Sequence, residues 1–479
     1  MATAGDALMA GLACAQHTGA GGNRARSDAS RWFVAPLPWA VLAFALAASA
    51  GWPKTPPLIA DSIAYRALAL GRFNEVGGSI AGRMLHPAAV RLVSWAAGLN
   101  IDQAFFVVAL STLALLIGSV AWMLKQVAGF GALVVPLLGT PLLIVDMFGL
   151  YYTQDLFYAA LLGCFFVTLI KGHTRLALAL LFTLYLTRES TILLALVWAG
   201  FAWFESDFFV AGGCVAVTIA GLAVSRMIAS AGIPNVHHTN ELVFLALKPP
   251  FDSIRNLLGI VLIPSEMKGR PGFTCTPFAT VTLPSYLRYG FTKQFGICAP
   301  MPEVPLHTFT LWLSLFGIGP ALVWAIFRDK GRRVLCDSPL WLKVAAIYGL
   351  LAFCAAPAVS DWLERDIGYA WPLFWLAAPA LFVRFYPAPM PAVAAVLLVE
   401  NLAACWIPYA LGLSLRHPGL FLVAAFAVAL AMQAAALRTL RRNAARPAVD
   451  SRTRIGSELL RAYHDGPLGS PAQASAGND

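Results

Sequence analysis

An all-α, polytopic membrane protein with about twelve transmembrane helices is the fold class this sequence predicts, and three observations predict it. Of 479 residues, 59% are hydrophobic and only 12% are charged, and the mean hydropathy is +0.71. Soluble domains carry roughly 25% charge. Apolar runs close to the ~20 residues a helix needs to cross a bilayer recur along the whole chain. Lys and Arg crowd into alternate short loops, as the positive-inside bias requires.

The runs place spans at roughly 32–52, 104–124, 127–147, 155–171, 174–188, 190–204, 208–229, 306–327, 339–357, 369–386, 389–410 and 418–437. The fifth and sixth are short. They either cross with little tilt or form a re-entrant hairpin buried in protein. Arg24, Arg26 and Arg31 precede the first run, and no small-residue cleavage site follows it, so it reads as a retained span and not a signal peptide. With the N-terminus cytoplasmic, Lys125, Lys171, Arg175, Arg328, Lys330, Arg332, Arg333, Arg384 and the tail arginines all fall on the cytoplasmic side. The expectation is a multi-pass protein of the cell (inner, plasma) membrane with both termini inside.

Three regions follow: a cytoplasmic segment 1–31, a transmembrane domain 32–437, and a basic cytoplasmic tail 438–479 of disordered composition. Two outer loops, 53–103 and 230–305, are far longer than the ~12–15 residues beyond which loops are usually functional. The net charge of +10 sits in short loops and the tail, which argues against nucleic-acid binding. Cys164, Cys214, Cys354 and Cys405 fall in spans, where a thiol acts as a small apolar group. Cys275 and Cys298 share the second outer loop, where a disulfide and two free thiols are equally open. No CxxC or HExxH pattern occurs, so no dedicated structural metal site is expected.

The chemistry-bearing residues lie at the outer ends of the spans. In LIADSIAYRALALGRF, Asp61 or Ser62 can cap a helix. Offsets of 4 and 11 then set Tyr65 and Arg72 within about 40° of Asp61 on one face. A cap with a solvated face is the plainer reading. GRMLHPAAVRLVSW reads as an interfacial helix with Pro87 in its first turn and Arg83 and His86 at its start. Cationic groups beside helix N–H groups suit a phosphate, or simply lipid headgroups. Gln154 and Asp155 open the fourth span among Tyr151, Tyr152 and Tyr158, as a cap within an aromatic belt or as part of a site. Arg188 and Glu189 lie between two apolar runs with almost no loop, where ionisable groups are costly and point to function unless they neutralise each other. Before the tenth span come Asp361, Glu364, Arg365 and Asp366; Arg365 can grip a phosphate bidentately, or the four form a surface ion-pair network. Glu400 and Asn401 fall inside an apolar run, whereas His237, His238 and His307 read as solvated.

ADSIAYRALALGRF, GRMLHPAAVRLVSW, TQDLFYAALL and LYLTRESTILL, followed by ERDIGYAWP, form an ordered series that resembles the GT-C superfamily of membrane glycosyltransferases. The likeness covers roughly residues 30–210 in order. It implies sugar transfer, with inversion at the anomeric carbon, from a polyprenyl-phosphate-linked donor to a glycan or lipid acceptor of the cell envelope, with membrane lipid as a further partner. By the same resemblance Asp61 is the catalytic carboxylate and Asp155 supports acceptor or metal binding. Arg188, where many relatives carry Lys, and Arg365 hold the carrier phosphate. Tyr65, Arg72, Arg83, His86, Gln154, Glu189 and Glu364 complete the expected binding set. The adjacent acidic pair of metal-binding relatives is missing, so no cofactor is assigned and a divalent cation stays open. Two alternatives remain: a twelve-span transporter, or a surface-polysaccharide polymerase or ligase leaning on outer-loop Arg and His.

Overall fold

The computed structural model describes residues 60–128, 151–232, 241–260, 262–264, 277–282, 294–298, 303–359, 363–386, 391–412 and 418–444. The expected span 32–52, most of 127–147, the segment 1–31, the tail beyond 444, His237, His238, Asp361 and the Cys275–Cys298 pairing lie outside them.

Three short helices fold the first long segment: α1 (Ala60–Ala69), α2 (Gly78–Ala81) and α3 (Leu85–Ala97). α1 ends where Gly71 takes φ +82, and the amides of Leu70, Gly71 and Arg72 turn back to the carbonyls of Arg66, Leu68 and Ala67. A left-handed glycine at that place closes a helix without the penalty a Cβ would bring. Then come α4 (Ile101–Ala128), α5 (Asp155–Ile170), α6 (Thr174–Tyr185), α7 (Thr191–Phe204), α8 (Phe208–Ala229) and α9 (Glu241–Leu258). An antiparallel sheet follows, of order β1 (Leu262–Pro264), β3 (Gln294–Cys298), β2 (Pro277–Thr282). No strand was expected in the 230–305 segment; its short β runs lack the alternation that marks a strand.

The remaining helices are α10 (Glu303–Ser314), α11 (Gly319–Asp337), α12 (Leu340–Val359), α13 (Leu363–Gly368), a π-helical segment Pro372–Ala377, α14 (Ala378–Phe385), α15 (Pro391–Gly412) and α16 (Pro418–Ala444). The protein is a multi-pass α-helical membrane protein. Among the described residues five helices are long and apolar enough to cross a bilayer, or six if the bent α10–α11 pair is one span. The stretch Arg365–Phe385 is the central one, with 94% of its apolar window buried, whereas only 22% of that of Gly419–Arg442 is, leaving the latter to lipid. α5, α6 and α7 have 16, 12 and 14 residues. At 1.5 Å per residue they measure roughly 24, 18 and 21 Å, short of the ~30 Å hydrocarbon core.

The expected single span 306–327 is corrected to two helices meeting at 71°. The break is built, not frayed. Gly317 takes φ +55, and a Cβ there would sit 2.1 Å from Asn401 Oδ1. Asn401 Oδ1 accepts from the Ile318 amide at 3.0 Å, Gln433 Oε1 accepts from Ala321, and Gln433 Nε2 donates to the Leu313 and Gly317 carbonyls at 2.6 Å. Backbone groups freed inside a bilayer need such protein partners. The same economy appears in α12: Pro357 deprives the Phe353 carbonyl of its i+4 donor, and Trp312 Nε1 donates to it at 2.9 Å.

Candidate functional site

The site is assembled at the end of the bundle where α1, α3, α5, the α6–α7 turn and α13 meet. α1 carries Asp61 in its first turn and Tyr65 one turn on. Its placement is held by Arg66, whose Nε and Nη2 donate to the two oxygens of Asp102 at 2.8 and 3.2 Å, while the Tyr152 hydroxyl donates to Asp102 at 2.9 Å. A bidentate guanidinium–carboxylate pair fixes orientation as well as distance, so α1 is tied to the start of α4. Asp102 has that structural part only, and nothing in the sequence marked it.

Arg188 reaches inward from the α6–α7 turn. Its Nη1 donates to Asp155 Oδ1 at 2.8 Å and its Nη2 to Asp366 Oδ1 at 2.6 Å. It also donates to the Tyr369 hydroxyl, which in turn donates to Asp155, and its guanidinium lies 4.4 Å over the Tyr369 ring. Arg365, one residue before Asp366, bridges outward: its Nη1 donates to Asp61 Oδ2 at 3.1 Å and its Nε stands 3.6 Å from Asp155 Oδ1. Asp61, Asp155, Arg188 and Arg365 therefore form one connected cluster, drawn from α1, α5, the α6–α7 turn and α13. Its exposure is graded: the Asp155 side chain is 2% exposed, that of Arg365 16% and that of Asp61 35%.

Glu189 turns the other way from its neighbour and accepts from Arg83 Nε at 3.1 and 3.3 Å. Arg83 Nη1 donates to the Tyr65 hydroxyl at 3.5 Å, and the Leu85 amide bonds the Leu186 carbonyl at 3.3 Å. The start of α3 and the α6–α7 turn are thereby one unit. Burial lifts the Tyr65 phenol above its ordinary range, although the Arg83 charge beside it pulls the other way.

Two expected members are corrected. Arg72 does not share the Asp61 face, because α1 stops at Ala69; it faces Glu75 at 3.7 Å on an exposed turn. His86 is not a phosphate-ready cation. It is buried between Tyr65, Phe105 and Phe157, with centroids 6.4, 5.4 and 5.3 Å away. Burial pushes its imidazole down to about 4, against the opposing pull of Asp155. Gln154 precedes α5 with both side-chain amide atoms buried and without a hydrogen bond. Glu364 lies on α13, and its side chain is outside the described residues.

The His86 environment makes a pH prediction. Between pH 6.5 and about 4 the unfolded chain takes up a proton there that the folded chain refuses. Stability is therefore lost as pH falls through that window, by roughly 3 kcal/mol at its lower end. His86→Phe is expected to flatten this part of the acid dependence of the melting midpoint in detergent. An unchanged slope would contradict the buried, neutral ring.

With the geometry in place, the chain can be set beside known proteins. It is similar to the crystal structure of ArnT from Cupriavidus metallidurans in the apo state, at 18% identity over 87% of this chain and 73% of that one, with a TM-score of 0.42. At that overlap no chemistry passes from one protein to the other. No family model and no curated protein matches the sequence.

Tyr369 and Asp366 are the members that reading the sequence missed as site residues; a phenol four residues after Arg365 and an acid beside it were the available signals. Among the described residues no three His, Cys, Asp or Glu side chains converge to hold a metal, and Asp61, Asp155 and Asp366 each face an arginine. A divalent cation does not fit this set. A cleft of about 550 Å³, lined by Gly172, His173, Arg175 and Asp207, is at the far end of α5, roughly 24 Å from Asp155.

Proposed function

We propose that this chain transfers a sugar from a polyprenyl-phosphate carrier to a hydroxyl of a cell-envelope glycan or lipid, at the outer face of the cell membrane. The observation that carries the reading is the half-exposed Asp61 held against Arg365, which also borders the buried Asp155. A glycosyl transfer of this type needs a base for the acceptor proton and a cation for the leaving phosphate, in one site on either side of the anomeric carbon. The ordered resemblance to GT-C enzymes supports the same roles, and the clustering of lysine and arginine in alternate loops supports an outward-facing site with both termini inside.

In this reading the acceptor O–H gives its proton to the Asp61 carboxylate while its oxygen forms a bond to the anomeric carbon from the face opposite the phosphate. The bond from that carbon to the phosphate oxygen breaks, and the carrier phosphate departs with the electron pair, inverting the centre. Arg365 meets the charge growing on the phosphate, and Arg83 extends the cationic rim. Arg188 differs from its first assignment. With Asp155 and Asp366 both bonded to it, it organises the site in place of gripping phosphate. No step runs through a metal.

Two features favour a transporter: Glu400 inside the apolar α15, since ionisable groups within spans mark ion paths, and the broken α10–α11 helix, since transporters place ion sites at such breaks. Here Asn401 and Gln433 already satisfy the freed backbone groups, which favours a structural joint. The deciding experiment incubates purified protein with polyprenyl-phosphate sugars and an acceptor extract and follows release of free carrier phosphate. Release above a heat-inactivated control is expected; none with any sugar tried would remove the reading.

A further inference from the structure

Arg188 and Arg365 differ in how fully they are bonded, and the difference has a consequence for the order of events. Arg188 donates to two carboxylates and a phenol. Among the described residues Arg365 makes one hydrogen bond, to Asp61, and its buried Nε makes none. A guanidinium has five donors, and a phosphate can take two of them in parallel. Of the carboxylates bordering Arg365, Asp155 is 2% exposed and is held by Arg188 and Tyr369. Asp61 is 35% exposed and can be rehydrated. Separating a charge from a fully buried partner costs several kcal/mol, whereas in the part-buried Asp61–Arg365 pair the Asp61 side can be rehydrated and the cost is smaller. An incoming anion therefore takes Arg365 from Asp61 and leaves the contact with Asp155.

We propose that the Arg365–Asp61 bond is an exchange latch: a phosphate monoester carried on a lipid takes over the Arg365 guanidinium and uncovers Asp61 Oδ2, so that the donor must bind before the acceptor is activated. The inference rests on the glycosyltransferase reading. While Oδ2 accepts from Arg365, the guanidinium fills the approach to that oxygen and shares the charge that would receive a substrate proton. A donor's own phosphate is the group that takes the guanidinium away, so an acceptor arriving first meets a carboxylate still paired with it.

The test needs no turnover. The full chain in lipid nanodiscs is treated with a water-soluble carbodiimide and an amine, and labelling of Asp61 and Asp155 is read by mass spectrometry. The arms are a sugar-free polyprenyl monophosphate, the neutral polyprenol of the same length, and inorganic phosphate; lipid retained on the protein is quantified in parallel. Expected is a rise in Asp61 labelling of several-fold with polyprenyl phosphate only, with Asp155 low throughout. R365Q is expected to label fully at Asp61 in every arm, and R365K, which keeps the charge should R365Q not fold, to give an intermediate basal level. Unchanged or reduced Asp61 labelling while the phosphate lipid is retained overturns the latch and leaves the transferase reading standing. An equal rise with inorganic phosphate overturns the need for a lipid-borne source. Failure to retain the phosphate lipid removes the function reading and the latch together.

Discussion

Arg188→Met is expected to lower the unfolding free energy by roughly 3–5 kcal/mol, the range for leaving buried charge uncompensated. The size follows from what remains behind. The Asp155 carboxylate, 2% exposed, and that of Asp366, 9% exposed, would lose the guanidinium they share. Arg365 stays 3.6 Å from Asp155, so the loss falls chiefly on Asp366, and the Tyr369 hydroxyl can donate only one hydrogen bond to the pair. The effect spreads because α5, the α6–α7 turn and α13 are joined through this one side chain. Melting in detergent, followed by size-exclusion chromatography, measures it. The triple variant Arg188→Met/Asp155→Asn/Asp366→Asn, which removes the charges along with their partner, is expected to recover most of the loss. A single variant that melts like the parent would show that the cluster does not hold the bundle end together.

Asp61→Asn has the largest expected effect on activity and almost none on folding. Loss of a positioned base costs about 10²–10⁴-fold in rate, so carrier-phosphate release should fall by that factor. The amide keeps the shape of the side chain and an oxygen that still accepts from Arg365. The change keeps the hydrogen bond and removes the charge only from the more exposed side of a part-buried pair, so the melting midpoint should move far less than in Arg188→Met. This separates it from Arg188→Met, where stability falls first and activity with it. Activity within tenfold of the parent would take Asp61 out of the mechanism.

Local signals in the chain foretell much of the local architecture. The Asp61 helix, the helix begun near Pro87 and the tight Arg188–Glu189 turn all appear close to their expected places. Gly71 was a readable stop signal, and heeding it removes Arg72 from the Asp61 face. Gly317 and the Gly319–Pro320 pair were likewise readable as the α10–α11 break. The partnerships were another matter. Arg365 and Asp61 stand 304 positions apart, and Arg188 and Asp366 stand 178 apart. No periodicity spans such separations. Equally, no local pattern says that Arg188 faces inward to Asp155 while Glu189 faces outward to Arg83.

By itself, then, the sequence determined the solvent and the local helices, because apolar run length against bilayer thickness and short-range turn chemistry are properties of neighbouring residues. Only tertiary packing decided which acid meets which base, how deep each lies, and hence which pair can open. Burial and long-range contact set the strength of a charge pair, and both exist only once distant helices have come together.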